Sequence, residues 1–142
     1  MRITDVLRRK GDVVVTIAPG ESVRSLLDAL AKHRVGALVV SSGDGAVDGI
    51  VSERDVVRRL QSEGAAVLEA QVSQIMTEVV HTCAPEDTVD DLMVLMTDKR
   101  VRHIPVLVDG RLCGIVSIGD VVKHRIEELQ SERDQLTAYI TG

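Results

Sequence analysis

The chain has 142 residues, 27% charged and 44% hydrophobic, which is enough apolar material for one folded unit with a real core and unlike the composition of a disordered segment. Its 17 Lys and Arg face 22 Asp and Glu, and the net charge of −5 disfavours the long-range attraction to phosphate backbones that nucleic-acid binding needs. With no Phe, no Trp and Tyr139 as its single aromatic, it lacks the stacking platforms of a single-strand binder, and no apolar run approaches the ~20 residues that span a bilayer.

Met1-Arg2-Ile3-Thr4-Asp5 lacks the apolar stretch of a secretory signal, which points to a cytoplasmic protein. Val13–Ala18 is a β-branched run that ends at Pro19 and reads as a short strand. Ser22 is placed as an N-cap, and Val23, Leu26, Leu27 and Leu30 follow at helical spacing on one apolar face. Ala37–Val40 reads as a buried strand and Gly43-Asp44-Gly45 as a turn; Gly49–Ser52 is a further strand feeding a second helix. Glu63–Gln71 is short, Ala-rich and free of Pro, which suits a packed connector. The order then recurs: Val79–Ala84 up to Pro85, Thr88 as N-cap, Val89, Leu92, Met93 and Met96 on one helical face, Ile104–Val108, the turn Asp109-Gly110, Gly114–Ser117 and a last helix.

This recurrence is close in detail. Gly49-Ile50-Val51-Ser52-x-x-Asp55-Val56-Val57 returns as Gly114-Ile115-Val116-Ser117-x-x-Asp120-Val121-Val122, with Pro19 to Pro85 spanning 66 residues and Gly49 to Gly114 spanning 65. Two copies of such a unit do not make a solenoid. They predict a pseudo-symmetric pair packed face to face, with a cleft on each side: residues 1–66 as the first repeat, 67–125 as the second and 126–142 as an amphipathic extension. The fold class is α/β (α+β), each copy running strand, helix, strand, turn, strand, helix. Val122, Ile126, Leu129, Arg133, Leu136 and Ile140 recur at steps of 4, 3, 4, 3 and 4, a seam polar only at Arg133. Such a stripe either folds back on its own domain or buries itself against a second copy.

Ser52-x-x-Asp55 and Ser117-x-x-Asp120 stand at strand-to-helix junctions, and two roles fit that place. Ser-x-x-Asp is a capping box, satisfying free N–H groups of a first helical turn. A helix N-terminus also offers N–H donors to a phosphate, and a carboxylate there can accept both hydroxyls of a ribose. The spacing alone leaves both open. Cys83 and Cys113 form neither a disulfide framework nor a CxxC motif and read as buried free thiols. His81-x-Cys83 has no third or fourth ligand at a zinc-like spacing, so no metal site is assigned. No Ser/His/Asp or Cys/His set can be specified, so no catalytic residues are assigned either.

The doubled Gly-Ile-Val-Ser-x-x-Asp-Val-Val, together with the His103-Ile104-Pro105-Val106 strand, resembles the CBS domain, named after cystathionine β-synthase. Two in tandem resemble a CBS pair, or Bateman module, from about Ile3 to Lys123. The resemblance implies two β-α-β-β-α units packed through their sheets, often dimerising into a disk, and binding of adenosine-containing ligands: AMP, ADP, ATP, S-adenosylmethionine or NAD-type molecules. It implies Asp55 and Asp120 as ribose-binding aspartates, Ser52 and Ser117 beside the sugar or phosphate, and Ile50 and Ile115 as walls against adenine. Thr77, Val80 and Thr82 fall where the start of one repeat covers the base held by the other repeat's aspartate; Val13, Val15 and Thr16 are their rough counterparts in the first copy. Arg102 and His103 match the strand that reaches the phosphates. Because Arg54 has Gly119 as its counterpart, and Arg102-His103 have Gly36-Ala37, the phosphate-binding groups are expected beside Asp55 in one half and on Arg102 and His103 in the other. The expectation is two unequal sites, of which one alone could fill. The implied protein is a non-enzymatic sensor with no required cofactor, a homodimer acting on a separate regulated protein. A structural dimerisation or interaction module with empty clefts is the alternative.

Overall fold

A computed structural model describes residues 1–11, 14–78 and 81–141. The chain opens with α1 (Ile3–Lys10), continues through β1 (Thr16–Ile17), α2 (Val23–His33), β2 (Ala37–Val40), β3 (Gly49–Ser52) and α3 (Glu53–Glu63), and crosses to the second copy by a 3-10 turn over Gly64–Glu69. The second copy holds α4 (Val72–Ile75), α5 (Val89–Lys99), β4 (His103–Val108), β5 (Arg111–Ser117) and α6 (Ile118–Thr141). β1 runs parallel to β2, which pairs antiparallel with β3; β4 and β5 form the matching antiparallel pair. The result is mixed α+β with two small sheets, as the doubled motif predicts.

Local chemistry explains the element boundaries. The Ser22 and Thr88 side chains accept the backbone N–H of Ser25 and Asp91, capping α2 and α5 as expected. Both helices end on an arginine in the left-handed region, Arg34 at φ 55° and Arg100 at φ 54°, which costs an L-residue roughly 1–2 kcal/mol. The hairpin turn Asp109-Gly110 has positive φ at both residues, 52° and 78°, the twist that a two-residue β-hairpin favours. The connector is packed as expected, with Val67 buried.

The hydrophobic cores cut across the division at residue 66. One unites Leu26, Leu30, Leu38 and Val51 with Val72 and Ile75 from the start of the second copy; the other unites Val89, Leu92, Ile104 and Val116 with Ile3 and Val6 of α1. Each copy therefore lends its first helix to the other. Both loans bury apolar side chains completely or nearly so, at roughly 1.5–3 kcal/mol each.

Several elements differ from the sequence expectation. The strand expected at Val13–Ala18 is only Thr16–Ile17, and Val13 lies outside the described residues. Of the strand expected at Val79–Ala84, Val79 and Val80 lie outside the described residues, and among the rest only Cys83 pairs with a strand: its N–H donates to the Pro105 carbonyl, and its own carbonyl accepts from Leu107. A nearby proline ends both runs. Cys83 is buried as expected, and burial pushes its thiol up to about 12, but Cys113 is only half-buried. It sits where the β4–β5 register slips, opposite no partner of its own. The extension at 126–142 is no separate element, since α6 runs unbroken from Ile118, about 36 Å at 1.5 Å per residue. Val121 and His124 anchor its first turns, while every described residue from Leu129 onward is exposed.

Candidate functional site

β3 hands over to α3 at Ser52, and the junction is a complete capping box. The Asp55 N–H donates to Ser52 Oγ (3.4 Å), the Ser52 N–H to Asp55 Oδ2 (2.9 Å), and the Ser52 hydroxyl to the same Oδ2 (3.0 Å). Both bonds to the carboxylate fall on Oδ2. Among the described residues Asp55 Oδ1 has no protein hydrogen bond, so capping and ligand binding do not compete for the same oxygen. Next to this junction Thr77 pairs with Ile50 through both backbone groups (Ile50 N–H to Thr77 O 2.9 Å, Thr77 N–H to Ile50 O 2.8 Å). That pairing brings the start of the second copy onto the wall of the first.

A cavity of about 570 Å³ opens here, lined by Ile50, Ser52, Arg54, Asp55, Arg58, Thr77, His81, Arg100, Arg102 and His103, with Glu53 and Glu78 also present. The size is that of an ordinary small-ligand pocket. Arg102 and His103 thus join Arg54 in lining the Asp55 cavity, where the sequence expectation set them in the other half. The reason is geometric: the two copies pack so that the first residues of β4 face the N-terminus of α3. Arg102 is held in place by its own carbonyl, which accepts the Ile118 N–H at 2.8 Å. His103 is held below the ordinary histidine range, first by burial and then by Lys10, against the pull of Asp120, with Arg102 adding to the depression.

The equivalent junction in the second copy is a capping box too: the Ser117 N–H donates to Asp120 Oδ2 (2.9 Å) and the Asp120 N–H to Ser117 Oγ (3.2 Å). Its surroundings differ. Lys10 Nζ, at the end of α1, donates to Asp120 Oδ2 and to the Ile115 carbonyl, both at 2.8 Å. Burial alone would raise the Asp120 carboxyl, but the hydrogen bonds from Lys10 and Ser117 outweigh it and lower the value. The cavity on this side, lined by Lys10, Val15, His33, Ile115 and neighbouring apolar residues, measures only about 110 Å³. A more open groove of about 740 Å³ follows the outer face of α6 along Ile118, Val122 and Ile126. It is lined by Ile118 and Gly119, between Ser117 and Asp120, but by neither of those two side chains, whereas Ser52 and Asp55 both line the larger enclosed cavity, so the candidate site is the Asp55 cavity.

The CBS domain family model matches residues 3–62 and 72–127, both copies of the repeat. The chain belongs to the CBS domain family. This CBS pair is 38% identical over 148 residues to the mitochondrial CBS domain-containing protein CBSX3 of Arabidopsis thaliana, covering 99% of this chain and 72% of that one. Among solved structures it resembles a CBS-domain containing protein from Agrobacterium tumefaciens, with TM-score 0.84 and 47% identity over 88% of this chain and 99% of that one. The CBS domain pair of protein MJ0100, solved with 5-methylthioadenosine and S-adenosyl-L-methionine, shares the fold at TM-score 0.80 and 22% identity, over 90% of this chain and 98% of that one.

In this CBS pair the anticipated residues Ile50, Ser52, Arg54, Asp55, Thr77, Arg102 and His103 converge on one cavity, while Val15 and Ile115 line the smaller one. Ser117 and Asp120 line neither cavity; Asp120 is tied to Lys10, which lines the smaller one. Thr16 and Thr82 are brought to neither. Thr16 is the outward residue of β1, where alternation buries Ile17 instead, and Thr82 is exposed, with His81 beside it reaching the cavity. Val80 lies outside the described residues. Sequence reasoning passed over Arg58, Arg100 and Lys10. Arg58 had a signal, three residues after Asp55 on the same helix face. Arg100 and Lys10 had none, because their places depend on a left-handed helix cap and on which core α1 joins.

Proposed function

We propose that the protein is a non-enzymatic sensor that binds an anionic adenine nucleotide, AMP, ADP or ATP, in the Asp55 cavity. The observation that carries this reading is the convergence of Asp55, Ile50, Thr77, Arg54, Arg102 and His103 on one cavity of about 570 Å³. Asp55 Oδ1, free of the cap, accepts the two ribose hydroxyls. Ile50 and Thr77 flank the base, an aliphatic setting in a chain without Phe or Trp. Four arginines, Arg54, Arg58, Arg100 and Arg102, outnumber the acids Glu53, Asp55 and Glu78, which favours phosphates over the cationic sulfonium of S-adenosylmethionine. The adenosine derivatives in the MJ0100 pair, which shares this fold, support the ligand class. The Ser52 hydroxyl donates to Asp55 and is committed to the cap, which suits binding better than nucleophilic chemistry.

A sensor of this kind acts as a homodimer on a separate protein, and α6 supplies the surface: Val122, Ile126, Leu129, Leu136 and Ile140 are each between 46% and 78% exposed. That same stripe is what favours the second reading, an interaction module with empty clefts. Nucleotide binding can shift either assembly only by its difference in affinity for the two states.

Isothermal titration of AMP and ATP into the protein, with Asp55→Asn and Asp120→Asn alongside, separates the two readings. Loss of one charge-assisted acceptor predicts at least about tenfold weaker binding in Asp55→Asn. Absence of heat with every nucleotide, with an unchanged melting temperature, rejects the sensor and leaves the interaction module.

A further inference from the structure

The two halves share a Ser–Asp cap and an isoleucine wall, yet among the described residues only the first half's serine and aspartate line a cavity of ligand size. The cause lies in the lent helices. A Cβ built on Gly49 would meet Met76, and one built on Gly114 would meet Leu7, so Met76 and Leu7 hold equivalent places in the two halves. After Ile75 the helix stops, and Thr77 extends along Ile50. After Leu7 the helix continues to Lys10. The Ile50 carbonyl accepts from the Thr77 backbone; the Ile115 carbonyl accepts instead from the Lys10 ammonium, which also reaches Asp120. Lys10 therefore spans the gap between the isoleucine wall and the carboxylate, the gap that in the other half lies open beside Asp55.

We propose that Lys10 determines the binding stoichiometry, closing the Asp120 cleft with a cation from the chain itself so that the protein takes one adenine nucleotide, at Asp55. The inference rests on the proposed role of Asp55. Lys10 satisfies the carboxylate that would otherwise accept a ribose, and the adjoining cavity that Lys10 and Ile115 line measures about 110 Å³, below the roughly 300 Å³ at which small-ligand pockets begin. Arg54 has only Gly119 as its counterpart here, and His33 is the one other basic group lining this cleft among the described residues. A phosphate entering it would find little to replace its water.

Isothermal titration of AMP decides the matter. The expected result is one site in the natural chain and a second, weaker site in Lys10→Ala. That added site disappears in Lys10→Ala/Asp120→Asn and survives in Lys10→Ala/Asp55→Asn. Lys10→Ser, which likewise removes both the stem and the charge, carries the same expectation if the alanine variant unfolds. Two sites in the natural chain, or one site in a folded Lys10 variant, overturns the proposal. A second arm needs no nucleotide: acylation of lysines by an activated ester, read by peptide mass spectrometry. Lys10, exposed like Lys32, Lys99 and Lys123 but ion-paired with Asp120, should react severalfold more slowly than those three, and Asp120→Asn should abolish that protection. Equal reactivity in the natural chain overturns the proposal. If AMP binds nowhere in the natural chain, the Asp55 reading falls, and the acylation arm still decides whether Lys10 holds Asp120.

Discussion

Thr77 exchanges both of its backbone hydrogen bonds with Ile50, whereas the matching isoleucine, Ile115, receives the side chain of Lys10. Two copies of one motif are thereby made structurally unequal. The asymmetry depends on no change in the repeated Gly-Ile-Val-Ser-x-x-Asp motif. It arises from how far the lent helix runs: α4 ends after four residues, α1 after eight.

The arginine cluster should make the Asp55 cavity discriminate by phosphate. Arg102→Ala is expected to weaken ATP binding by about tenfold or more, the scale of one charge-assisted hydrogen bond. Adenosine, which offers no phosphate, should bind within about twofold of its affinity for the natural chain on the same basis. Titration calorimetry with both ligands checks this; equal losses would mean that Arg102 shapes the cavity and does not meet the phosphate.

His103 should link binding to pH. Burial and the charges of Lys10 and Arg102 depress it in the free protein, against Asp120, so it is neutral near pH 7. A bound phosphate favours the charged imidazole and raises the value, so the complex holds more protons than the free protein. Binding of AMP should therefore tighten as pH falls through and below about 6.5, by at most about tenfold per pH unit for one linked proton. The opposite sign applies to the folded protein without ligand: the unfolded chain takes up this proton first, so stability falls over the same range. Affinity measured from pH 8 to pH 5.5 in the natural chain and in His103→Asn isolates this proton from the titration of the phosphate itself. Identical profiles would remove His103 from the site.

The two wall glycines should respond unequally to an added methyl. A Cβ at Gly49 would lie 2.8 Å from the Thr77 carbonyl oxygen and 2.9 Å from Met76 Sδ. The carbonyl is fixed by its pairing with Ile50, so Gly49→Ala should cost roughly 1–3 kcal/mol and disturb the ligand wall. At Gly114 the obstacle is Leu7 Cδ2 at 2.6 Å, the far end of a side chain that can turn aside. Thermal denaturation should show the larger drop for Gly49→Ala.

The exposed stripe of α6 should control association without controlling the fold. Leu129→Glu with Leu136→Glu replaces two exposed residues by a good helix former. Sedimentation should show a dimer in the natural chain and a monomer in the variant, with melting of the monomer unit little changed. A natural chain that sediments as a monomer would remove the homodimer from the proposed function.

Much of this protein was legible before any coordinates. The Ser22 and Thr88 caps, the apolar faces of α2 and α5, the strands Ala37–Val40 and Gly49–Ser52, and the two Ser–Asp junctions follow from patterns within a few residues of one another, where sterics and hydrogen bonding are local. Recurrence then implies the paired architecture. Tertiary structure alone decided the partners. Lys10 and Asp120 are 110 residues apart in the chain, and Arg102 shares a cavity with Asp55 because the start of β4 faces α3 across the two copies. Such contacts depend on which core each lent helix joins and on how far it extends, and neither is written in the motif they complete. Local pattern places two equivalent carboxylates at two helix starts; packing sets one beside open space lined by arginines and the other against a lysine, because long-range burial governs where a charge can find its counter-charge.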